Sequence, residues 1–202
     1  MNSKHQKILI ITAPSGAGKT SITKHLMQAF PVLAFSISAA TRQPRDNEKD
    51  GVDYYFMGLD EFNQKIQQKE FAEWEMVYEG KFYGTLKSEL KRIWSLGKVP
   101  VLDIDVKGAL HIQRQYPENT LSLFVQPPSV DVLKERLMSR GTETEESLAA
   151  RVNKASYELS FREHFDQTVV NNNLTTACAE AEKLVSDFLN HRYPVPALPY
   201  VG

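Results

Sequence analysis

Residues 7–30 read KILIITAPSGAGKTSITKHLMQAF. Residues 8–12 are a β-branched apolar run of the kind that forms a strand buried on both faces. APSGAGKT follows, and SITKHLMQAF then places Ile22, Leu26 and Ala29 at helical spacing. Strand, glycine loop and helix in that order is the context a phosphate-binding P-loop requires. Gly16 and Gly18 reach backbone conformations that turn successive N–H groups inward, and the helix N-terminus adds partial positive charge. Lys19 is placed to bridge the outer phosphates of a nucleoside triphosphate, and the Thr20 hydroxyl to ligate Mg²⁺. The loop expected to face the triphosphate is Ala13, Pro14, Ser15, Gly16, Ala17, Gly18, Lys19, Thr20 and Ser21. It departs from the usual pattern at Ala13, where the motif has its first glycine. A glycine-rich turn with an incidental lysine is the plain alternative.

Composition narrows the class. The chain has 202 residues, enough for one domain with a small inserted part. It is 42% hydrophobic and 24% charged with a net charge of −1, an ordinary globular balance. That balance gives no global reason to expect nucleic acid or an anionic membrane as partner. Cys178 is the only cysteine, so no internal disulfide forms, and no Cys/His cluster has metal-site spacing. His5, His25, His111, His164 and His191 are scattered and receive no role. MNSKHQK is polar and ILII is too short for a membrane span, so the cytoplasm is the expected location. YPVPALPYVG reads as an extended tail. A P-loop is shared by GTPases, motors and small kinases. No Asn-Lys-x-Asp loop for guanine is present and a motor is normally larger, which favours a small kinase.

SAATRQPR, residues 38–45, sets Arg42 and Arg45 three apart around Pro44. Arginine grips oxyanions with a planar fork of donors, although a solvated loop also carries such residues. Downstream stand DGVDYYF (50–56), EFAEWEMVYEGKFYGT (70–85), GKVPVLDIDVKGAL (97–110) and RGTETEES (140–147). With the P-loop, these segments closely resemble guanylate kinases, in the family's order, from about residue 7 to about 190.

The resemblance implies that Ser38, Arg42, Arg45, Tyr54, Glu73, Tyr83, Thr85 and Asp105 surround GMP. The residue types suit that ligand. Two arginines and two tyrosine hydroxyls supply directional donors to a 5′-phosphate. Glu73 can accept from guanine N1–H and N2–H₂, Asp105 can assist at N2, and Thr85 or Ser38 can donate to O6. Taken singly, Tyr54 and Tyr83 also read as core aromatics, and Glu73 as a solvent-facing strand residue. VYEGKFYGT looks insertion-like, which loosens the spacing between Glu73 and Tyr83.

VPVLDID, residues 99–105, is an apolar strand ending in acids. Asp103 is expected near Mg²⁺, and Asp105, two residues on, on the same face. The alternative is that either acid caps the next turn. Residues 127–155 read as two helices joined at Gly141, with Arg136 and Arg140 on one face and a Thr142–Glu145 capping box before a helix carrying Arg151. In the family this is the lid, whose arginines approach the ATP phosphates. TVVNNNL reads as a last strand, with Asn171 at the family's position near adenine. The family commonly has acids after that residue, where this chain has Asn172 and Asn173.

The implied fold is α/β: a P-loop NTPase-type parallel sheet with flanking helices, a GMP-binding insert over about 37–89 and a helical lid over about 129–155. The core takes about 7–36, 90–128 and 156–190, and the tail 191–202. The implied reaction is MgATP plus GMP, and also dGMP, giving ADP and the diphosphate, for purine nucleotide metabolism and GMP recycling. Catalysis then rests on Lys19, Arg42, Arg136 and Arg151, with ATP also held by Arg140 and Asn171, and no covalent intermediate forms. The expected partners are ATP and GMP alone, without nucleic acid or membrane, in a monomer or homo-oligomer. Two rivals stand beside this: a non-catalytic guanylate-kinase-like scaffold, and a kinase for another nucleotide or sugar phosphate.

Overall fold

β1 (Ile8–Thr12) is buried along its whole length, and its side chains alternate between two cores. Leu9 and Ile11 join one apolar cluster, while Ile8 and Ile10 join another on the opposite face. A strand covered on both sides has no use for polar positions, which is why the run contains none before Thr12. The computed structural model describes residues 6–139 and 145–190.

β1 leads into α1 (Lys19–Ala29) and β2 (Leu33–Phe35). An inserted unit follows: β3 (Ser38–Ala40), β4 (Tyr54–Phe56), α2 (Leu59–Gln67), β5 (Phe71–Tyr78) and β6 (Lys81–Leu86). The chain returns through α3 (Lys87–Ser95), β7 (Val99–Asp103), α4 (Val106–Gln115) and β8 (Thr120–Gln126). α5 (Val130–Met138) and α6 (Glu145–Leu159) come next, then β9 (Gln167–Val170) and α7 (Leu174–Asn190).

The main sheet is parallel, in the order β2-β7-β1-β8-β9. α1 and α7 supply the cluster on one face; α3 and α4 supply the one on the other. The register sets Ile11 opposite Asp103, so the carboxyl end of β7 lies beside the loop that leaves β1. Ligands of open α/β sheets bind at that edge.

The inserted sheet has the order β4-β3-β6-β5 and its own small core of Ala39, Phe62, Phe71 and Leu86. Its strands span Ser38 to Leu86, against an expected 37–89. VYEGKFYGT is a hairpin and not an insertion: Tyr78 pairs with Lys81, and Gly80 turns the chain at φ 67°. Glu89 of α3 ties the insert to the core. It is 2% exposed and accepts from the Ile37 N–H at 3.1 Å, the Tyr55 hydroxyl at 2.9 Å and the Arg92 fork. Burial opposes its ionisation, but these donors hold the carboxyl below its usual range.

α5 and α6 pack through Leu133, Leu137, Leu148 and Ala155. α6 continues to Leu159, beyond the boundary expected for the lid. The joint at Gly141, the Thr142 capping position, Arg140 and the tail at 191–202 lie outside the described residues.

Candidate active site

The P-loop backbone follows from its glycines. Gly16 and Gly18 take φ of 92° and 95°, a region closed to most side chains. Gly18 is the N-cap of α1 and offers no side chain to the first amides of the helix, and the first turn carries no acid. Those amides and the helix dipole are left to an anion. A side chain at Gly16 would also meet Leu137 of α5 at 3.1 Å, so α5 packs directly on the loop. Ala13 replaces the usual glycine without strain, because it has no positive φ and packs against the core.

Behind the loop, the Asn171 amide donates to the Ala17 carbonyl at 2.8 Å, and Arg136 donates to the Asn171 carbonyl at 2.9 Å. Asn171 is 5% exposed. Both residues thus brace the loop on which ATP is expected to lie. In front of the loop, Lys19 forms an ion pair with Asp103.

The second part lies on the insert. Glu73 and Thr85 are paired across β5 and β6, and the Thr85 hydroxyl donates to the Glu73 carboxylate at 2.5 Å. Burial pushes the Glu73 carboxyl up to about 7, and the charge of Asp105 adds to the rise. The Thr85 hydroxyl turns its one proton to Glu73 here and keeps lone pairs that can accept from a ligand. Asp105 corrects the strand expectation: β7 ends at Asp103, and Asp105 caps α4, accepting from the Gly108 N–H at 2.8 Å. Asp is a favoured cap because its oxygen satisfies an amide that the helix leaves open. It still faces the same cleft.

Arg42 donates from Nε to the Tyr83 hydroxyl at 3.1 Å and lies over the Tyr54 ring, 4.8 Å from its centroid. Its fork holds Glu48 through bonds of 2.5 and 2.6 Å. Arg45 is exposed at the mouth.

One cleft of about 610 Å³ joins both parts. It is lined by the P-loop except Ala17, by Ser38, Arg42, Arg45, Tyr54, Glu73 and Tyr83, and by Asp103, Asp105 and Arg151. Thr85, Arg136 and Asn171 stand behind its wall, and Arg140 is outside the described residues. Glu48, Lys154 and Glu158 line it too and were not singled out from the sequence. Arg151, Lys154 and Glu158 share a face of α6 by their spacing, a pattern that could have shown them. Glu158 is 7% exposed, and burial pushes its carboxyl up despite nearby Lys154 and Lys19. Lys154 also reaches the insert, donating to the Val77 carbonyl at 3.3 Å.

The cleft thus sets the glycine loop and Lys19 at one end against paired acids and arginines at the other. Comparison with known proteins agrees. The family model described as guanylate kinase matches residues 5–188. The guanylate kinase of Bacteroides fragilis is 48% identical over 183 residues, covering 91% of this chain and 90% of the relative. That of Thermotoga maritima is 44% identical over 171 residues, covering 85% and 82%. The crystal structure of guanylate kinase from Anaplasma phagocytophilum superposes with a TM-score of 0.71 at 28% identity, covering 89% of this chain and 84% of that one. The chain belongs to the guanylate kinase family.

Proposed function

We propose that this cleft transfers the terminal phosphoryl group of ATP to GMP, with the P-loop holding ATP and the inserted sheet holding GMP. The observation that carries this is the single cavity in which the Lys19–Asp103 pair and the Glu73, Asp105 and Arg42 group meet. Little covalent chemistry falls to the protein in such a transfer. Its residues position the two nucleotides and offset charge on the moving phosphoryl.

On the acceptor side, Arg45, Arg42 and the Tyr54 and Tyr83 hydroxyls take the 5′-phosphate. Glu73 and Asp105 take the guanine N–H groups, and those donors favour the ionised form of Glu73. On the donor side, Lys19 follows the outer phosphates and Arg151 approaches them from α6. Arg136 and Asn171 act through the loop they support.

Among the described residues, no group of three or more His, Cys, Asp or Glu side chains could hold a metal by itself. Thr20 and Asp103 instead fit a hard cation that keeps its waters and takes its remaining ligands from phosphate, which is the habit of Mg²⁺. When bound, Mg²⁺ neutralises charge on the outer phosphates. Among the described residues, no helix is long and apolar enough to cross a membrane. A cytoplasmic place in GMP recycling is part of this proposal, and the lone, buried Cys178 suits a reducing compartment.

The test is Lys19→Ala assayed for GMP-dependent ADP release. Loss of a preorganised cation that acts in the transition state lowers kcat by on the order of a hundredfold or more. A folded variant turning over at the parental rate overturns the assignment. The scaffold alternative has no observation in its favour, because the phosphate loop, Lys19 and Asp103 are all in place.

A further inference from the structure

A guanidinium has five N–H donors in a fixed fork. In Arg42, Nε donates to the Tyr83 hydroxyl, Nη1 donates to the Gln43 carbonyl and to Glu48 Oε2, and Nη2 donates to Glu48 Oε1. A single Nη2–H is left for a ligand. The flat of the group is covered as well, with the Tyr54 ring centroid at 4.8 Å and that of Phe56 at 5.4 Å. Arg42 is therefore held at its edges and against two rings.

Glu48 is itself fixed independently of Arg42. Its N–H donates to the Arg45 carbonyl at 2.9 Å, and its Oε2 accepts from the Arg45 N–H at 2.9 Å. These reciprocal bonds close the turn that carries Arg45, in the manner of a capping box. One carboxylate thus sets both the direction of the Arg42 fork and the backbone of Arg45. It also lines the cleft, and its side chain is only 17% exposed. The Arg42 fork and the Arg45 amide hold the carboxyl down at about 2, so it stays ionised across the working range.

Two roles are open to such a carboxylate. It could stand in for a phosphate and leave when one arrives, or it could remain as a clamp. Leaving requires giving up the Arg45 N–H as well as stripping the fork, and that bond to the Arg45 amide is local and needs no ligand. We infer that Glu48 is a positioning residue for the acceptor phosphate: it stays bound to Arg42 and Arg45 and presents one Nη2–H of Arg42, together with the Arg45 side chain, to the GMP 5′-phosphate. This rests on the acceptor-site assignment above. Glu48 lowers the net positive charge of the site and fixes its geometry in return. Preorganised donors bind better than mobile ones because less ordering remains to be done on binding.

The experiment measures KM for GMP, KM for ATP and kcat in Glu48→Ala, Glu48→Gln, Glu48→Asp and Arg45→Ala. The clamp predicts KM for GMP raised at least tenfold in Glu48→Ala, with KM for ATP within twofold of the parent. Glu48→Gln keeps the shape and one acceptor oxygen, so it falls between parent and alanine, and it replaces the alanine variant if that does not fold. Glu48→Asp is too short to span both Nη groups and does not rescue. A KM for GMP that falls, in Glu48→Ala or Glu48→Gln, identifies Glu48 as a displaced stand-in and overturns the inference. An unchanged KM with a raised KM in Arg45→Ala overturns the clamp and leaves the acceptor site standing. If neither Arg45→Ala nor Glu48→Ala moves it, the acceptor-site assignment falls and the clamp with it.

Discussion

Glu73 and Thr85 sit opposite each other on antiparallel strands, joined by a 2.5 Å hydrogen bond inside a wall where both are almost wholly buried. A carboxylate in that position is stable as an anion only when donors surround it. Thr85 supplies one, and the pocket leaves the rest to a ligand with adjacent N–H groups.

The burial of Glu73 makes stability depend on pH. Its folded pKa of about 7 lies above the unfolded value of 4.5, so the folded state holds the proton more tightly. The contribution is full below 4.5, is lost as pH rises towards 7, and is flat above that. A shift of this size corresponds to at most about 3 kcal/mol. Glu73→Gln removes it. Urea midpoints from pH 4.5 to 8 for parent and variant should differ in slope over that window, and parallel curves would contradict the assignment. GMP supplies the missing donors, so its affinity should rise with pH through the same range.

Gly108 fills the space between the two acids. An added Cβ would lie 2.5 Å from Glu73 Oε2 and 3.4 Å from Asp105 Oδ1. In an ordinary helix Gly→Ala stabilises by about 1 kcal/mol. Here Gly108→Ala must push Glu73 aside. Steady-state kinetics should show KM for GMP raised about tenfold or more, with KM for ATP within twofold, a size typical of a misplaced binding group. Unchanged GMP kinetics would show that Glu73 has room to move without loss.

Asn171 should affect the other substrate. Asn171→Ala leaves the Ala17 carbonyl without its partner, at a cost of about 1–3 kcal/mol. Asn171→Asp sets a carboxylate against that carbonyl and should be worse. Both variants should raise KM for ATP more than KM for GMP. The reverse order would place Asn171 in a different role.

The P-loop was legible in sequence because its causes are local. Glycine permits the left-handed turns at Gly16 and Gly18, and the apolar run before them can only be a covered strand. Asp103 was legible for a similar reason, as the polar end of such a strand. Asp105 was assigned to the wrong element, since alternation along a strand says nothing of where the strand stops. Asp105 three residues before Gly108 was the available signal for a helix cap. Glu48 stands in the charged segment RDNEKD, residues 45–50, where any acid reads as solvated. The fork of Arg42, reached through space, and the Arg45 N–H that donates to it set it apart from its neighbours. The same holds for Asn171 and Arg136, whose partners are a loop carbonyl far along the chain and each other.

The most direct measurement is kcat/KM for phosphorylation of GMP and of AMP, in the parent and in Glu73→Gln. Adenine carries a lone pair at N1 and a C–H at position 2, so AMP would point an acceptor at Glu73 and leave Asp105 without a donor. Sites that hydrogen-bond their substrate reject such analogues by roughly 10⁴-fold. A preference for GMP of that order in the parent, narrowed in Glu73→Gln because an amide also donates, is the predicted result. Equal use of AMP and GMP by the parent would contradict the assignment of this cleft to guanine.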